Sequence, residues 1–271
     1  MDRYPNRIVC LTEETTETLY LLGEERRIVG ISGYTVRPAR ARREKPRVSA
    51  FLSAKTDRIV ELQPDLVLGF SDLQRDIASE LVRQGLHVMI FNQRSVEEIL
   101  DMIQRLAAMV GAAAKGEALV AKLQANLDRV RALAVALPAR PRVYFEEWDE
   151  PMISGIRWVS ELIGIAGGDD VFPELARSQG AQGRTIADAA EVVRRAPDII
   201  VGSWCGKKFR PERVAARPGF EAIPAVRDGE LHEVKSVDIL QPGPAALTDG
   251  VERLHAIFSA WASRRPDGYK R

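Results

Sequence analysis

Residues 112–137, AAAKGEALVAKLQANLDRVRALAVAL, decide how this chain is organised. Leu119, Leu123, Leu127, Val130, Leu133 and Leu137 recur at steps of three and four, the spacing that aligns side chains on one helical face. Lys122, Asp128, Arg129 and Arg131 fall largely on the other side. Alanine fills most remaining positions and no proline intervenes before Pro138, so intrinsic propensity agrees with the periodicity. A continuous helix of this length would span roughly 39 Å, the height of a whole domain. It separates an amino-terminal lobe, 1–111, from a carboxy-terminal lobe, 139–271, with 112–138 as the link.

Working outward, each half alternates strand and helix. In the first, strands are expected at 7–11, 28–32, 48–53, 66–69 and 88–91, with helices at 12–22, 57–62, 71–84 and 95–110. Thr12 is a candidate N-cap, and Gly23 and Gly85 are helix stops. In the second, strands are expected at 143–145, 198–202 and 231–234, with helices within 154–165, at 186–195 and at 244–262. The tail from Ser263 is polar and expected to fray. Such alternation implies an α/β fold with open, largely parallel sheets covered by helices on both faces. The halves also resemble each other: RIVELQPDLVLG (58–69) and EVVRRAPDIIVG (191–202) both read as a helical turn, Pro-Asp, aliphatics and a glycine. Proline stops the helix, aspartate fixes the turn, and the aliphatics enter a sheet. Two copies flanking one long helix point to a two-lobed, internally similar architecture.

Composition bounds the function. At 271 residues, 45% apolar and 28% charged with a net charge of +1, the chain has enough material for two domains and lacks the concentrated positive field of a nucleic-acid surface. The basic runs at 37–47 and 207–217 read as solvated loops or contacts to an anionic ligand. Cys10 and Cys205 cannot build a disulfide framework and match no zinc spacing. The opening residues MDRYPNRIVCL lack the pattern of a secretory signal, and no apolar run approaches the roughly 20 residues of a membrane span. No nucleophile elbow, phosphate loop, dinucleotide fingerprint or zinc-protease motif is present, so an enzyme is not expected.

The segments RIVCLTEETTETLYLLGEERRIVGIS (7–32), RVSAFLSAKTDRIVELQPDLVLG (47–69) and APDIIVG (196–202), in this order around the helix, resemble the substrate-binding proteins of ABC importers for vitamin B12, haem and iron-siderophore complexes. The vitamin B12 binders are nearest in motif order, and the similarity runs over about 7–262. The resemblance implies two Rossmann-like lobes joined by one rigid backbone helix, and a cobalamin-like or metal-chelate ligand in the cleft between lobes. It further implies a periplasmic location, ABC permease subunits as partners, no cofactor beyond the ligand and a monomeric state. A cytosolic binding or delivery protein of the same fold is the alternative.

The resemblance assigns ligand contacts to loops after strands, in line with the general rule for open parallel sheets. On this chain those loops carry Tyr34, Phe51 and Ser71 in the first lobe, and Glu147, Trp148, Trp158, Trp204, Cys205, Asp238 and Gln241 in the second. Rigid aromatic rings cover a flat ligand at small entropic cost. Phe51 stands where tryptophan is more usual among the cobalamin binders, and FEEWDEP (145–151) and SWCGKKFRP (203–211) depart from them. Those stretches bring Glu146, Glu147, Asp149 and Cys205 as candidate metal ligands, and Lys207, Lys208 and Arg210 as candidate partners for an anion. His87, His232 and His255 read as structural. For docking to the permease, the resemblance points to Asp57 in the first lobe and Asp188 or Glu191 in the second.

Overall fold

The computed structural model describes residues 3–265. It divides into two compact units: residues 1–93 with 97–123, and residues 94–96 with 124–271.

In the first unit the elements run β1 (Ile8–Cys10), α1 (Glu13–Leu21), β2 (Ile28–Ser32), α2 (Ala41–Glu44), β3 (Arg47–Ala50), β4 (Ser53–Ala54), α3 (Thr56–Glu61), β5 (Leu66–Phe70), α4 (Arg75–Arg83), β6 (Val88–Phe91) and α5 (Val96–Met109), the last beginning in the second unit. The six strands order as β4-β3-β2-β1-β5-β6, all pairs parallel except the β3–β4 hairpin. Val9, Leu11, Val48, Ile59, Val67 and Leu81 form the core between sheet and helices. The chain leaves β1 in one direction and β5 in the other, so the loops after these two strands diverge, the place where such sheets open a crevice.

Helix α6 (Ala113–Val135) begins in the first unit and ends in the second. Its buried residues from mid-helix onward are Leu123, Leu127, Val130 and Ala134, the three-four repeat expected of one face. Leu133, assigned to that stripe from sequence, is instead 45% exposed. Ala134 takes the buried position one residue on, because two successive steps of three from Leu127 turn Leu133 about 120° off the face, whereas Ala134 returns to within about 20° of it.

The second unit holds β7 (Arg142–Asp149), β8 (Met152–Ser154), α7 (Arg157–Ala166), β9 (Asp169–Asp170), α8 (Ala190–Arg195), β10 (Ile199–Gly202), α9 (Pro211–Ala215), α10 (Pro224–Arg227), β11 (Leu231–Glu233), α11 (Ser236–Ile239) and α12 (Val251–Ala262). The sheet orders as β11-β10-β7-β8, with β9 also on β7. Tyr144, Phe172, Ile200, Trp204, Phe209 and Phe220 lie in its core.

The duplicated Pro-Asp motif has a duplicated geometry. Gln63 and Ala196, each just before the proline, end α3 and α8 at φ +46° and +43°. Asp65 accepts from the backbone amides of Asn6 and Arg7 at 2.7 and 2.9 Å, and the Arg7 guanidinium donates to the Leu62 carbonyl. Asp198 accepts from the Arg142 amide at 2.9 Å, and the Arg142 guanidinium donates to the Arg195 carbonyl at 2.7 Å. The aspartate therefore does more than fix its own turn: it ties the incoming strand to the first strand of its sheet.

Several boundaries differ from expectation. The first strand of the second unit runs to Asp149 rather than to Phe145, because β8 folds back on it antiparallel. The helix placed at 186–195 covers only Ala190–Arg195; Ile186 donates to the Met152 carbonyl, and Asp188 accepts the Ala190 amide to start the helix there. The closing helix opens with a π-turn, Ala246–Gly250, where a Cβ on Gly250 would overlap the Asp238 carbonyl. The segment opening at Ser71 begins with φ +68° and a 3-10 turn before α4. Of the tail, 266–271 lie outside the described residues, while Arg264 pairs with Glu230 and Arg265 with Asp228.

Candidate functional site

In the first unit the rim at the carboxyl ends of the strands is apolar and exposed. Tyr34 follows β2 and is 56% exposed; Leu52 in the β3–β4 turn and Leu73 after β5 are 69% and 57% exposed. Phe51 is half-buried in the same turn. Buried Gln74 holds these loops together: its carbonyl accepts the Phe70 amide and its NH₂ donates to the Phe51 carbonyl, both at 3.0 Å. Ser71 is buried and accepts the Leu73 amide, so it shapes the loop rather than facing outward. Leu52, Leu73 and Gln74 were not singled out from sequence. An exposed leucine is silent without knowledge of which loops meet.

The loop after β1 leads into the start of α1 with Thr12, Glu13 and Glu14, all buried. Burial pushes the Glu14 carboxyl up to about 8, against the opposing pull of the Thr12 hydroxyl that donates to it at 2.6 Å. Burial also raises Glu13. Cys10, buried on β1, has its thiol raised to about 12 for the same reason.

In the second unit the corresponding rim contains a cavity of about 480 Å³ at the ends of β10 and β11. Trp204, Lys207, Lys208, Glu233, Lys235 and Ser236 line it. Trp204 is held edge-on to Phe209, with ring centroids 5.1 Å apart, and its indole N–H donates to Glu146 Oε1 at 3.0 Å. Glu146 is fully buried on β7; it also accepts from the Tyr144 hydroxyl at 2.9 Å and from both terminal nitrogens of Arg217. Buried charge of this kind is stable only when its lone pairs are satisfied, and here they are. Asp149 is buried beside Lys207, which pairs with it; burial works against ionisation, but the Lys207 bond and charge outweigh it and hold the carboxyl below its ordinary value. The Lys207 ammonium lies 4.0 Å from the Trp148 ring centroid and 5.1 Å from that of Trp204.

The other residues read from sequence fall in different places. Glu147 is engaged by the Arg184 guanidinium at 2.6 and 3.0 Å. Trp158 is inside the unit, 3% exposed, donating to the Ile239 carbonyl at 2.9 Å. Asp238 is buried and pairs with Arg253 at 3.1 Å, Gln241 is half-buried, and Cys205 sits in an exposed turn. Neither cysteine is in a disulfide. Glu146, Glu147 and Cys205 do not converge as metal ligands: among the described residues no group of three His, Cys, Asp or Glu side chains could hold an ion, and both glutamates are committed to arginines. Of the histidines, His232 meets Glu230 at 2.9 Å and His255 the Ala166 carbonyl at 3.0 Å.

Asp57 is exposed in the first turn of α3. Asp188 is exposed ahead of α8 and 3.5 Å from Arg194, whereas Glu191 is gripped by Arg194 and Arg195.

The model of the family described as periplasmic binding protein matches residues 8–237. The chain belongs to that family. A cobalamin-binding protein of Halobacterium salinarum is 25% identical over 253 residues, spanning 90% of this chain and 67% of its own. Among solved structures, a possible iron-binding periplasmic solute-binding protein of Staphylococcus epidermidis superposes with a TM-score of 0.81 at 20% identity, covering 94% of this chain and 99% of its own. A periplasmic haem-binding protein of Roseiflexus sp. RS-1 does so with a TM-score of 0.78 at 22% identity, covering 93% and 98%. At these identities the structures share the fold: two α/β units with mainly parallel sheets. No helix among the described residues is long and apolar enough to cross a membrane.

Proposed function

We infer that this chain is the substrate-binding protein of an ABC importer, working outside the cytoplasm and taking up a cobalamin-like or metal-chelate ligand. The observation that carries the reading is the family match across 8–237, on a chain whose first unit presents Tyr34 beside half-buried Phe51 and whose second opens a cavity at the carboxyl ends of parallel strands. Relatives named for cobalamin, iron and haem share a requirement for broad, preformed surfaces, and the Gln74 and Glu146 bonds preform both rims. The reading is capture and not conversion. A cytosolic delivery protein of the same fold is less well supported, since the named structural relatives are periplasmic.

Asp57 and Asp188 are the better pair for contacting permease subunits. Both are exposed, and Glu191 is already spent on two arginines. The test of the whole reading is direct. Protein incubated with cyanocobalamin, haemin or ferric citrate and then desalted should carry one of these chromophores through the column; elution free of all three would remove the proposal's support.

A further inference from the structure

The cavity of the second unit holds more cationic charge than it neutralises. Lys207 is matched by Asp149 and by the Trp148 face. Glu233 lines the same space and uses one carboxylate oxygen to accept the Phe209 amide at 3.1 Å. Lys208 and Lys235 also line it, both exposed, and neither forms an ion pair among the described residues. Beside the Lys207–Asp149 pair, two further ammonium groups and one carboxylate, that of Glu233, therefore line the cavity, next to Trp204, whose buried indole is held by Glu146 and Phe209. Ammonium groups gathered on one concave surface bind oxyanions through charge-assisted hydrogen bonds.

We propose that this cavity is an oxyanion site, in which Lys208 and Lys235 hold a carboxylate or phosphate group carried on the edge of the captured ligand, with Trp204 flanking it. The inference rests on the capture reading for what the anion is attached to, and it narrows that reading to a chelate with acidic groups at its periphery. It also gives the unusual segments 145–151 and 203–211 a common purpose: their buried acids lock Trp204 and Lys207 in place and leave the remaining lysines to the ligand. At about 480 Å³ the cavity matches the lower range of ligand pockets, roughly 300–1,000 Å³, and suits a ligand's acidic edge.

The test uses the full chain and calorimetric titration with citrate and with inorganic phosphate at low ionic strength, where unscreened charge is felt most. Lys208→Gln/Lys235→Gln should weaken citrate binding by about tenfold or more, and added salt should weaken it in the wild type. Arg105→Gln/Lys122→Gln, which removes two exposed helical charges from the first unit, should leave it unchanged. Phosphate binding as tight as citrate would assign the site to a phosphate group; citrate alone would assign it to carboxylates. A second arm compares haemin with its dimethyl ester, the same ring without acidic groups, and the ester should bind about tenfold more weakly. No binding of either anion, or equal binding by the lysine variant, overturns the oxyanion site. A chelate bound equally by wild type and lysine variant sinks the site and leaves the capture reading intact. Lysine-dependent citrate binding with no chelate bound from the panel does the reverse.

Discussion

Asp65 and Asp198 show how a single carboxylate organises each unit. Each accepts the amide of the residue that leads into the first strand, and the arginine there returns a bond to the end of the helix just before the aspartate. The Pro-Asp pair was legible as a turn, but its partner was not, since Arg7 and Arg142 lie 58 and 56 residues away. The same motif stores strain: Ala196 adopts a left-handed conformation at φ +43° that favours glycine. Ala196→Gly should therefore raise the denaturant midpoint, with a gain of about 1 kcal/mol less the added freedom of the unfolded chain. Glu14 supplies a pH-dependent counterpart. Its carboxyl ionises near 8 when folded against 4.5 ordinarily, so the folded state keeps a proton the unfolded chain has lost across that window. Its contribution is complete below about pH 4.5 and is lost as pH rises through 8. Denaturant midpoints of Glu14→Gln should match the wild type near pH 4.5 and exceed it near pH 8.5, with neighbouring Glu13 leaving a smaller slope of the same sign.

At the scale of elements, the hairpin of β7 and β8 and the loop after β10 behave as one part. Glu146 and Asp149 belong to a strand, and their burial is tolerated because Arg217 and Lys207 reach them from elsewhere in the chain. Sequence alone reads EEWDE as a polar loop, since carboxylates are seldom buried unless paired and the pairing is invisible locally. By contrast the long helix α6, the strand at Ile28–Ser32 and the strand at Val88–Phe91 were legible at once, because local propensity and periodicity agree there. Removing the Glu146 carboxylate by Glu146→Ala should cost about 2–4 kcal/mol and lower the thermal midpoint, since it strands the part-buried Arg217 guanidinium and leaves the buried Tyr144 hydroxyl and Trp204 indole without their acceptor. Gly202, the last residue of β10, lies against the Phe209 ring, so a Cβ there would overlap it. Gly202→Ala should displace Phe209 and with it Trp204, costing about 1–3 kcal/mol and shifting tryptophan fluorescence; an unchanged spectrum and midpoint would refute the tight packing.

For the molecule as a whole, the fold class and the two-unit organisation were readable because the pattern repeats, and a repeated weak signal becomes a strong one. The site was readable only in part. Tyr34 and Phe51 were placed on the rim by the rule for loops after strands, whereas Trp158 and Trp204, 3% and 2% exposed, pack inside, Trp148 belongs to strand β7, and Ser71 shapes its loop. A tryptophan in a loop looks the same in sequence whether its ring faces outward or inward. Lys235 went unnoticed for a different reason: it joins Lys208 only when β11 is laid beside β10.

On the reading proposed above, this chain captures a metal chelate and gives it back unaltered. Equilibrium titration of the purified chain with cyanocobalamin, haemin and ferric citrate, followed by release and analysis of the bound compound, measures this directly. Saturable binding of one molecule per chain, with the compound recovered chemically unchanged, is the expected result. Absence of saturable binding by any of the three, or recovery of a converted product, would contradict it.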